Sequence, residues 1–223
     1  MFLYQPRPDL KNKSIAVFAS IYPTPDKHQQ TKDILKSVVD IVKNESTCIS
    51  LKVIQSVCNP DHFMLYEEWC DYDEFFTVQL KRDYRQGFSE KLGAVRGKPS
   101  TFEFFEILSE SGKLVEEKLA DQDKYTCVVS HLWLKEEHRG RWGNVASALP
   151  ELSEAADTSQ SCKLFRSLND PLLFVIYHLS LDSEQSPGME KNYVIPFCFS
   201  EFFNNDVIEM QQVEFFQTRY IPI

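Results

Sequence analysis

Glycine is scarce in this sequence and long apolar runs are missing, and both shortages exclude classes of protein. The seven glycines form no Walker loop, no Gly-x-Gly-x-x-Gly turn and no Gly-x-Ser-x-Gly elbow, and there is no His-Glu-x-x-His zinc motif. No apolar stretch approaches the ~20 residues that a membrane-spanning helix needs. We therefore expect no nucleotide cofactor and no membrane partner.

Positive charge is also in short supply. The chain has 33 acidic and 24 basic side chains, which gives a net charge of −9. Such a surface repels phosphate backbones, so nucleic-acid binding would need a local basic patch. The best candidate, Lys81–Arg85, is interrupted by Asp83 and is typical of a solvated helix face. We predict no nucleic-acid partner.

The start of the chain and its cysteines bear on location. Residues 1–13 lack the basic start and apolar stretch of a signal peptide, and Pro6 and Pro8 interrupt them early. We expect an N-terminal arm lying across the fold, with a loose tail as the alternative. The six cysteines form no Cys-x-x-Cys pair, and most lie in apolar strand-like runs, as Cys127 and Cys198 do. This pattern predicts buried free thiols, no metal site and a cytoplasmic protein.

The chain contains an internal repeat. Residues 60–66 (PDHFMLY) recur as 171–177 (PLLFVIY), with the proline, phenylalanine and tyrosine each displaced by 111 positions. The same displacement carries Glu-Phe-Phe at 103–105 onto Glu-Phe-Phe at 214–216. Their common order and spacing indicate two diverged copies of one unit.

Both copies show one order of predicted elements. In the first copy we predict strands at 14–23, 48–57, 63–69 and 101–108, with helices through 34–42 and 75–88. In the second copy we predict strands at 124–134, 162–167, 172–181 and 207–220 and a helix at 136–156. Its second helix is degraded between residues 183 and 205, because Pro187, Gly188 and Pro196 interrupt any long run.

The order strand-helix-strand-strand-helix-strand is the ferredoxin-like arrangement. Strands 63–69 and 172–181 carry apolar residues at both odd and even positions, whose side chains point to opposite faces of a sheet. Both faces of each sheet should therefore be covered. We therefore predict an α+β protein in which two tandem ferredoxin-like (βαββαβ) units pack sheet to sheet as an intrachain pseudo-dimeric α/β barrel. A chain that supplies both sheets should be a monomer, with a homodimer as the alternative.

The predicted organisation has four parts. They are an N-terminal arm at 1–13, a first domain at 14–108, a linker at 109–123 and a second, diverged domain at 124–223.

Three short motifs make the first copy resemble the antibiotic biosynthesis monooxygenase-like family of dimeric α/β barrels. They are Glu-Ser-Thr-Cys at 45–48, Phe-Met-Leu-Tyr-Glu-Glu-Trp at 63–69, and the acidic start of the second helix at 71–75. Members of this family include cofactor-independent oxygenases of phenols and anthrones, haem-degrading enzymes and proteins with no known activity. The resemblance covers residues 14–108 and reaches the second copy through the repeat.

The chain departs from the family pattern in two places. Family members often carry a histidine in the second helix, nine residues after the tryptophan that corresponds to Trp69. At that position this chain has Val78, followed by Gln79. In the second copy His178 replaces Glu67, and Ser180 replaces Trp69. The two copies therefore cannot have equivalent sites.

In the first copy the candidate residues are Glu67 and Trp69, which share a strand face. Glu67 could act as a general base and Trp69 as a wall against an aromatic ligand. The alternative is that Glu67 pairs with an arginine such as Arg82 or Arg85 and that Trp69 is core.

The second helix of the first copy supplies further candidates. Phe75, Gln79 and Tyr84 could line a ligand pocket. The alternative is that this aromatic stripe, which has helical spacing, belongs to the core.

In the second copy the candidates are His131 and His178, with Trp133 as a ligand-binding residue. Their strands should be neighbours, so the two imidazoles could approach each other and one could act as a general base. The alternative is a pair of hydrogen-bonded core histidines.

We interpret the chain as a cofactor-independent monooxygenase-like enzyme acting on an aromatic or polyketide-like molecule. In this chemistry the electron-rich substrate anion reduces O₂ itself, so no cofactor is expected. The alternative is a non-catalytic ligand-binding or scaffold protein that keeps the barrel. Haem binding or degradation through His131 or His178 is a third reading.

Overall fold

The computed structural model of the chain describes residues 6–111, 125–138, 160–181 and 207–217. They divide into two compact units. The first unit comprises residues 6–55 and 59–106, and the second comprises residues 56–58 and the described residues from 107 onward. No helix within the described ranges is long and apolar enough to cross a membrane.

The first unit contains strands and helices in similar amounts, and the described part of the second unit consists mostly of strands. The described part of the first unit holds β1 (Ile15–Pro23), α1 (His28–Val42), β2 (Cys48–Ser56), β3 (Phe63–Trp69), α2 (Tyr72–Thr77), α3 (Asp83–Gly93) and the start of β4 (Arg96–Ser111). The second unit holds β5 (Tyr125–Leu134), β6 (Gln160–Ser167), β7 (Leu173–Leu181) and β8 (Ile208–Gln217). Short 3₁₀ turns lie at Pro8–Leu10, Pro25–Lys27, Gln79–Lys81 and Glu136–His138.

Each unit is built on an antiparallel sheet. In the first, β1 pairs with β3 and β4, and β2 pairs with β3. In the second, β5 pairs with β7 and β8, and β6 pairs with β7. The hydrogen-bonded strand order is β4-β1-β3-β2 in the first unit and β8-β5-β7-β6 in the second. The predicted α+β fold class, an intrachain pseudo-dimeric barrel, is confirmed.

Both faces of the first sheet are covered, as the patterning predicted. All seven residues of β3 are buried. On one face Tyr66 packs edge-on against Phe18, with ring centroids 5.2 Å apart. On the other face Trp69 packs against Phe75 of α2, with centroids 5.4 Å apart. Alternation along β3 therefore sends Glu67, which has the same parity as Trp69, to the face that carries the helices.

The second predicted helix of the first copy is interrupted. The sequence predicts one helix at 75–88, whereas the structure has α2 and α3, separated by a 3₁₀ turn. Asp71 caps α2 by accepting a hydrogen bond from the backbone N–H of Glu74 at 2.7 Å. Arg82 is extended, with φ −61° and ψ 137°, so a new helix begins at Asp83. The break turns Gln79 inward, where it is 1% exposed.

The helical segments predicted for the second copy lie mostly outside the described residues. The predicted helix at 136–156 starts with the turn Glu136–His138, and its remainder lies outside the described residues, as does the degraded helix between 183 and 205.

The cysteine prediction holds in part. All five described cysteines are free, and Cys127 and Cys162 are buried in strands. For Cys58 and Cys70 the prediction of burial is wrong, because both follow the end of a strand and are exposed. Cys48 is half-buried, and Cys198 lies outside the described residues.

Candidate functional site

The first unit contains a cavity of about 520 Å³ between its sheet and the helical segment that follows α2. The sheet contributes Ala19, Leu65 and Glu67, and α3 contributes Arg85, Phe88 and Leu92. The volume lies within the range of small-molecule sites. Its lining combines apolar side chains with charged ones, and polar groups among apolar walls are what orients a ligand in such sites.

Strand pairing explains why these side chains meet. Leu65 lies directly opposite Ala19 of β1, so the small alanine side chain leaves room over the sheet. Glu67 lies opposite Val17 of β1 and Leu51 of β2, within an apolar setting. A buried carboxylate in such surroundings needs a charged partner.

Arg85 is the partner of Glu67. Its Nη1 donates to Oε1 of Glu67 at 2.9 Å, and its Nη2 donates to Oε2 at 2.8 Å. The indole N–H of Trp69 also donates to Oε2, at 2.8 Å. The side chains of Glu67 and Arg85 are 2% and 14% exposed, so this is a buried, bidentate ion pair.

The electrostatics of Arg85 follow from this pairing. Burial opposes the guanidinium charge, but the carboxylate of Glu67 outweighs burial, and the pKa of Arg85 lies above its usual value. The alternative reading of the sequence, in which Glu67 pairs with an arginine, describes the structure. Arg82 instead pairs with Glu45 at 3.2 Å.

Aromatic rings surround Arg85. Its guanidinium carbon lies 5.4 Å from the ring centroid of Trp69, 5.8 Å from that of Phe75 and 5.6 Å from that of Tyr84. These distances are typical of cation–π contacts. The Nε atom of Arg85 is buried and has no hydrogen-bond partner among the described residues.

Gln79 does not line the cavity and belongs to a separate cluster of hydrogen-bonded polar side chains. Its amide nitrogen is 2.8 Å from Oε1 of Glu74 and 3.2 Å from Oγ1 of Thr47. The hydroxyl of Tyr84 donates to the amide oxygen of Gln79 at 3.4 Å. These hydrogen bonds hold the turn between α2 and α3 against the start of β2.

The structure brings all five predicted residues of the first copy into one region. Glu67 lines the cavity. The other four do not line it: Trp69, Phe75 and Tyr84 contact Arg85, and Gln79 holds the turn between α2 and α3. Their role in binding a ligand remains a prediction.

The sequence did not predict two of the basic side chains that line the cavity. Lys81 and Arg96 both line it. The charge run around Lys81 was the available signal, but it was read as a solvated face. For Arg96 the sequence carries no such signal.

The two histidines of the second copy do not approach each other. In the pairing of β5 with β7, His178 lies opposite Val128, and His131 lies opposite Val175. Positions 128 and 131 differ in parity, so the two imidazoles point to opposite faces of the sheet and the predicted approach is wrong. His131 instead stacks on Trp133, with centroids 5.8 Å apart, and burial lowers the pKa of His178.

Two further groups bear on the chemistry of the site. Burial, followed by the nearby carboxylate of Glu67, raises the pKa of Cys48 to about 12, so its thiol is a poor nucleophile. Within the described part of the chain, no group of three or more His, Cys, Asp or Glu side chains could hold a metal ion.

Comparison with known proteins agrees with this architecture. The family model described as antibiotic biosynthesis monooxygenase matches residues 14–91. A structure from Fusobacterium nucleatum subsp. nucleatum, described provisionally as a monooxygenase, is 12% identical with a TM-score of 0.73 and covers 93% of each chain. One from Lactobacillus acidophilus, with the same provisional description, is 8% identical with a TM-score of 0.67, over 92% of this chain and 94% of the other.

Identities this low show the fold alone, and no curated protein matches the chain. The eight strands agree with the predicted tandem fusion of two ferredoxin-like units. The match to the family model agrees with the predicted resemblance of the first copy to the antibiotic biosynthesis monooxygenase family, and it covers residues 14–91.

Proposed function

We propose that the first unit binds an electron-rich aromatic molecule in its cavity and promotes the oxidation of that molecule by O₂ without a cofactor. The observation that carries this proposal is the cavity of about 520 Å³ with the buried Glu67–Arg85 pair in its wall. The match of residues 14–91 to the family model supports a monooxygenase-like or ligand-binding role.

The apolar walls suit the first requirement of such chemistry. Leu65, Phe88 and Leu92 offer surface against which a planar ring can pack, and packing there expels water. When water is excluded from a bound ring system, water molecules cannot return a proton to the reactive carbon. Binding in this orientation is the positioning part of the proposed mechanism.

The ion pair suits the second requirement, ionisation of the substrate. Oε1 of Glu67 accepts one hydrogen bond from Arg85, and a carboxylate oxygen has a second lone pair that can take the substrate proton. The positive charge of Arg85 then stabilises the phenolate or enolate that is formed. In this scheme Glu67 accepts the proton and Arg85 holds the anion.

The substrate anion supplies the electrons. It transfers one electron to O₂, and the two radicals combine into a peroxide on the carbon that was deprotonated. When that carbon is a ring CH₂, loss of water leaves a carbonyl group. One oxygen atom of O₂ is then in the product, and the other is in the water.

Oxygen uptake with a panel of anthrones and hydroxylated naphthalenes tests the proposal, with quinone formation followed by absorbance. Glu67→Gln keeps the shape of the side chain but removes the proton acceptor, and we expect kcat to fall by about 10²- to 10⁴-fold with little change in KM. Glu90→Gln, on the exposed side of α3, is the matched control and should keep full activity. If Glu67→Gln turns over as fast as the unmodified protein, or no compound is oxidised, the proposal is wrong.

A non-catalytic ligand-binding role is the second candidate, and one observation favours it. Both oxygens of Glu67 already accept hydrogen bonds, from Arg85 and from Trp69. Calorimetric binding of a panel compound without oxygen uptake would support this role over the enzymatic one.

A further inference from the structure

The charge of the cavity is opposite to that of the whole chain. The chain carries 33 acidic and 24 basic side chains. The cavity, in contrast, is lined by four basic side chains and two acidic ones, namely Lys81, Arg82, Arg85 and Arg96 against Glu67 and Asp83. A concentration of positive charge in the cavity of an acidic protein calls for an explanation.

Ion pairing within the chain accounts for half of these cations. Arg85 is neutralised by Glu67, and Arg82 pairs with Glu45, which lies outside the cavity. Lys81 and Arg96 form no ion pair with any residue that the structure describes. Asp83 is the first residue of α3, where its charge also meets the partial positive charge of the helix N-terminus.

Exposed apolar side chains line the cavity together with Lys81 and Arg96. Leu80 precedes Lys81 and is 43% exposed, and Phe102 on β4 is 57% exposed, and both line the cavity. Large apolar side chains exposed at the rim of a cavity become favourable when a ligand covers them. The lining of the cavity thus combines exposed apolar surface, from Leu80 and Phe102, with the positive charges of Lys81 and Arg96.

From this combination we propose that the occupant of the cavity is an aromatic molecule that carries an anionic group, whose charge is met by Lys81 and Arg96. The proposal rests on the function proposed above and specifies its substrate class. The ring system packs on the apolar walls, and the carboxylate or another small anion lies between the two cations. A nucleic acid does not fit this description, because the positive charge is confined to one small cavity of a chain with net charge −9.

Two fluorescent probes that share one aromatic body test the proposal. 1-Anilinonaphthalene-8-sulfonate is anionic, and N-phenyl-1-naphthylamine is its neutral counterpart. We expect the unmodified protein to bind the anionic probe about fivefold or more tightly than the neutral one at low ionic strength, because two exposed cations contribute modestly and additively. Added salt should reduce this preference.

Variants locate the effect. Lys81→Gln with Arg96→Gln should abolish the preference while leaving the affinity for the neutral probe unchanged. Lys36→Gln with Lys91→Gln removes the same charge from exposed positions outside the cavity and should keep the preference. Ser89→Trp, at an exposed position in the lining of the cavity, should weaken both probes if they bind there.

The outcomes separate this proposal from the one it rests on. Equal binding of both probes, with oxygen uptake from neutral aromatics intact, overturns the anionic substrate class and leaves the oxygenase. Failure of both probes to bind, or binding that Ser89→Trp does not affect, overturns the anionic substrate class, and the oxygen-uptake assay alone then decides the proposed function. An equal loss of preference in the Lys36 and Lys91 control overturns the role of Lys81 and Arg96.

Discussion

Arg85 lies at the centre of the first unit's site, where it pairs with Glu67 and contacts three aromatic rings. Removing its charge leaves a carboxylate that is 2% exposed without a counter-ion. Losing one member of a buried pair costs far more than the pair itself is worth, because the remaining charge stays desolvated.

We therefore expect Arg85→Gln to lower the free energy of unfolding by about 3 kcal/mol, measured by denaturant titration. Glu67→Gln combined with Arg85→Gln should recover much of this loss. Arg82→Gln is the matched control, because it breaks an exposed pair with Glu45 and should cost about 1 kcal/mol or less. A loss in Arg85→Gln no larger than in the control would contradict the importance of the buried pair.

His178 is the residue through which the second unit should respond to acid. Burial lowers its pKa in the folded protein below the ordinary value of 6.5, so the unfolded chain binds a proton more readily than the folded one. The stability that depends on a neutral His178 is present above pH 6.5 and is lost as the pH falls below that value.

We expect His178→Gln to narrow the difference in the free energy of unfolding between about pH 7.5 and pH 5.5. Chemical denaturation at both pH values measures this difference, and the unmodified protein is the reference. An unchanged difference would show that His178 does not contribute.

At the scale of the element, the break between α2 and α3 decides which residues reach the cavity. The turn Gln79–Lys81 directs Gln79 into the interior and places Lys81 on the cavity, and α3 then carries Arg85 to Glu67. A continuous helix would present other side chains at these positions, because each inserted or removed residue rotates a helix by about 100°.

α3 contains a glycine that the structure does not need. Gly87 lies in the helix interior, has an ordinary backbone conformation, and a Cβ added there meets open space. Gly87→Ala should raise the free energy of unfolding by about 0.5–1 kcal/mol, since alanine loses less backbone entropy in a helix.

Gly97→Ala is the contrasting control for this prediction. A Cβ there would lie 3.3 Å from the carbonyl oxygen of Pro23 and 3.4 Å from Cγ2 of Thr24, so no gain is expected. Thermal or chemical denaturation of both variants distinguishes them, and a destabilised Gly87→Ala would contradict the open surroundings of Gly87.

At the scale of the whole molecule, the chain itself supplies two antiparallel four-stranded sheets, so a second chain is not needed to provide the partner sheet of the predicted pseudo-dimer. We predict a monomer, with a mass near 26.0 kDa by light scattering after size-exclusion chromatography. A species of twice that mass at micromolar concentration would favour the homodimer.

The sequence by itself determined the fold, because the fold depends on periodicity and repetition. The predicted strand 63–69 has the same bounds as β3, and the helical spacing of Ile34, Leu35 and Val38 places all three on the buried face of α1. The displacement of 111 positions aligns β3 with β7, and residues 103–105 of β4 with residues 214–216 of β8. These signals are local in the sequence, because the spacing of buried apolar residues follows the period of the helix or strand that carries them.

Only the tertiary structure decided how the site is assembled. Glu67 and Arg85 lie 18 positions apart and meet because one strand face and one helix face each other. His131 and His178 face opposite ways because strand register, which no local pattern encodes, assigns each residue to a face. The shortage of positive charge in the chain as a whole likewise concealed the cations that gather at the cavity, since composition counts charges and only packing places them.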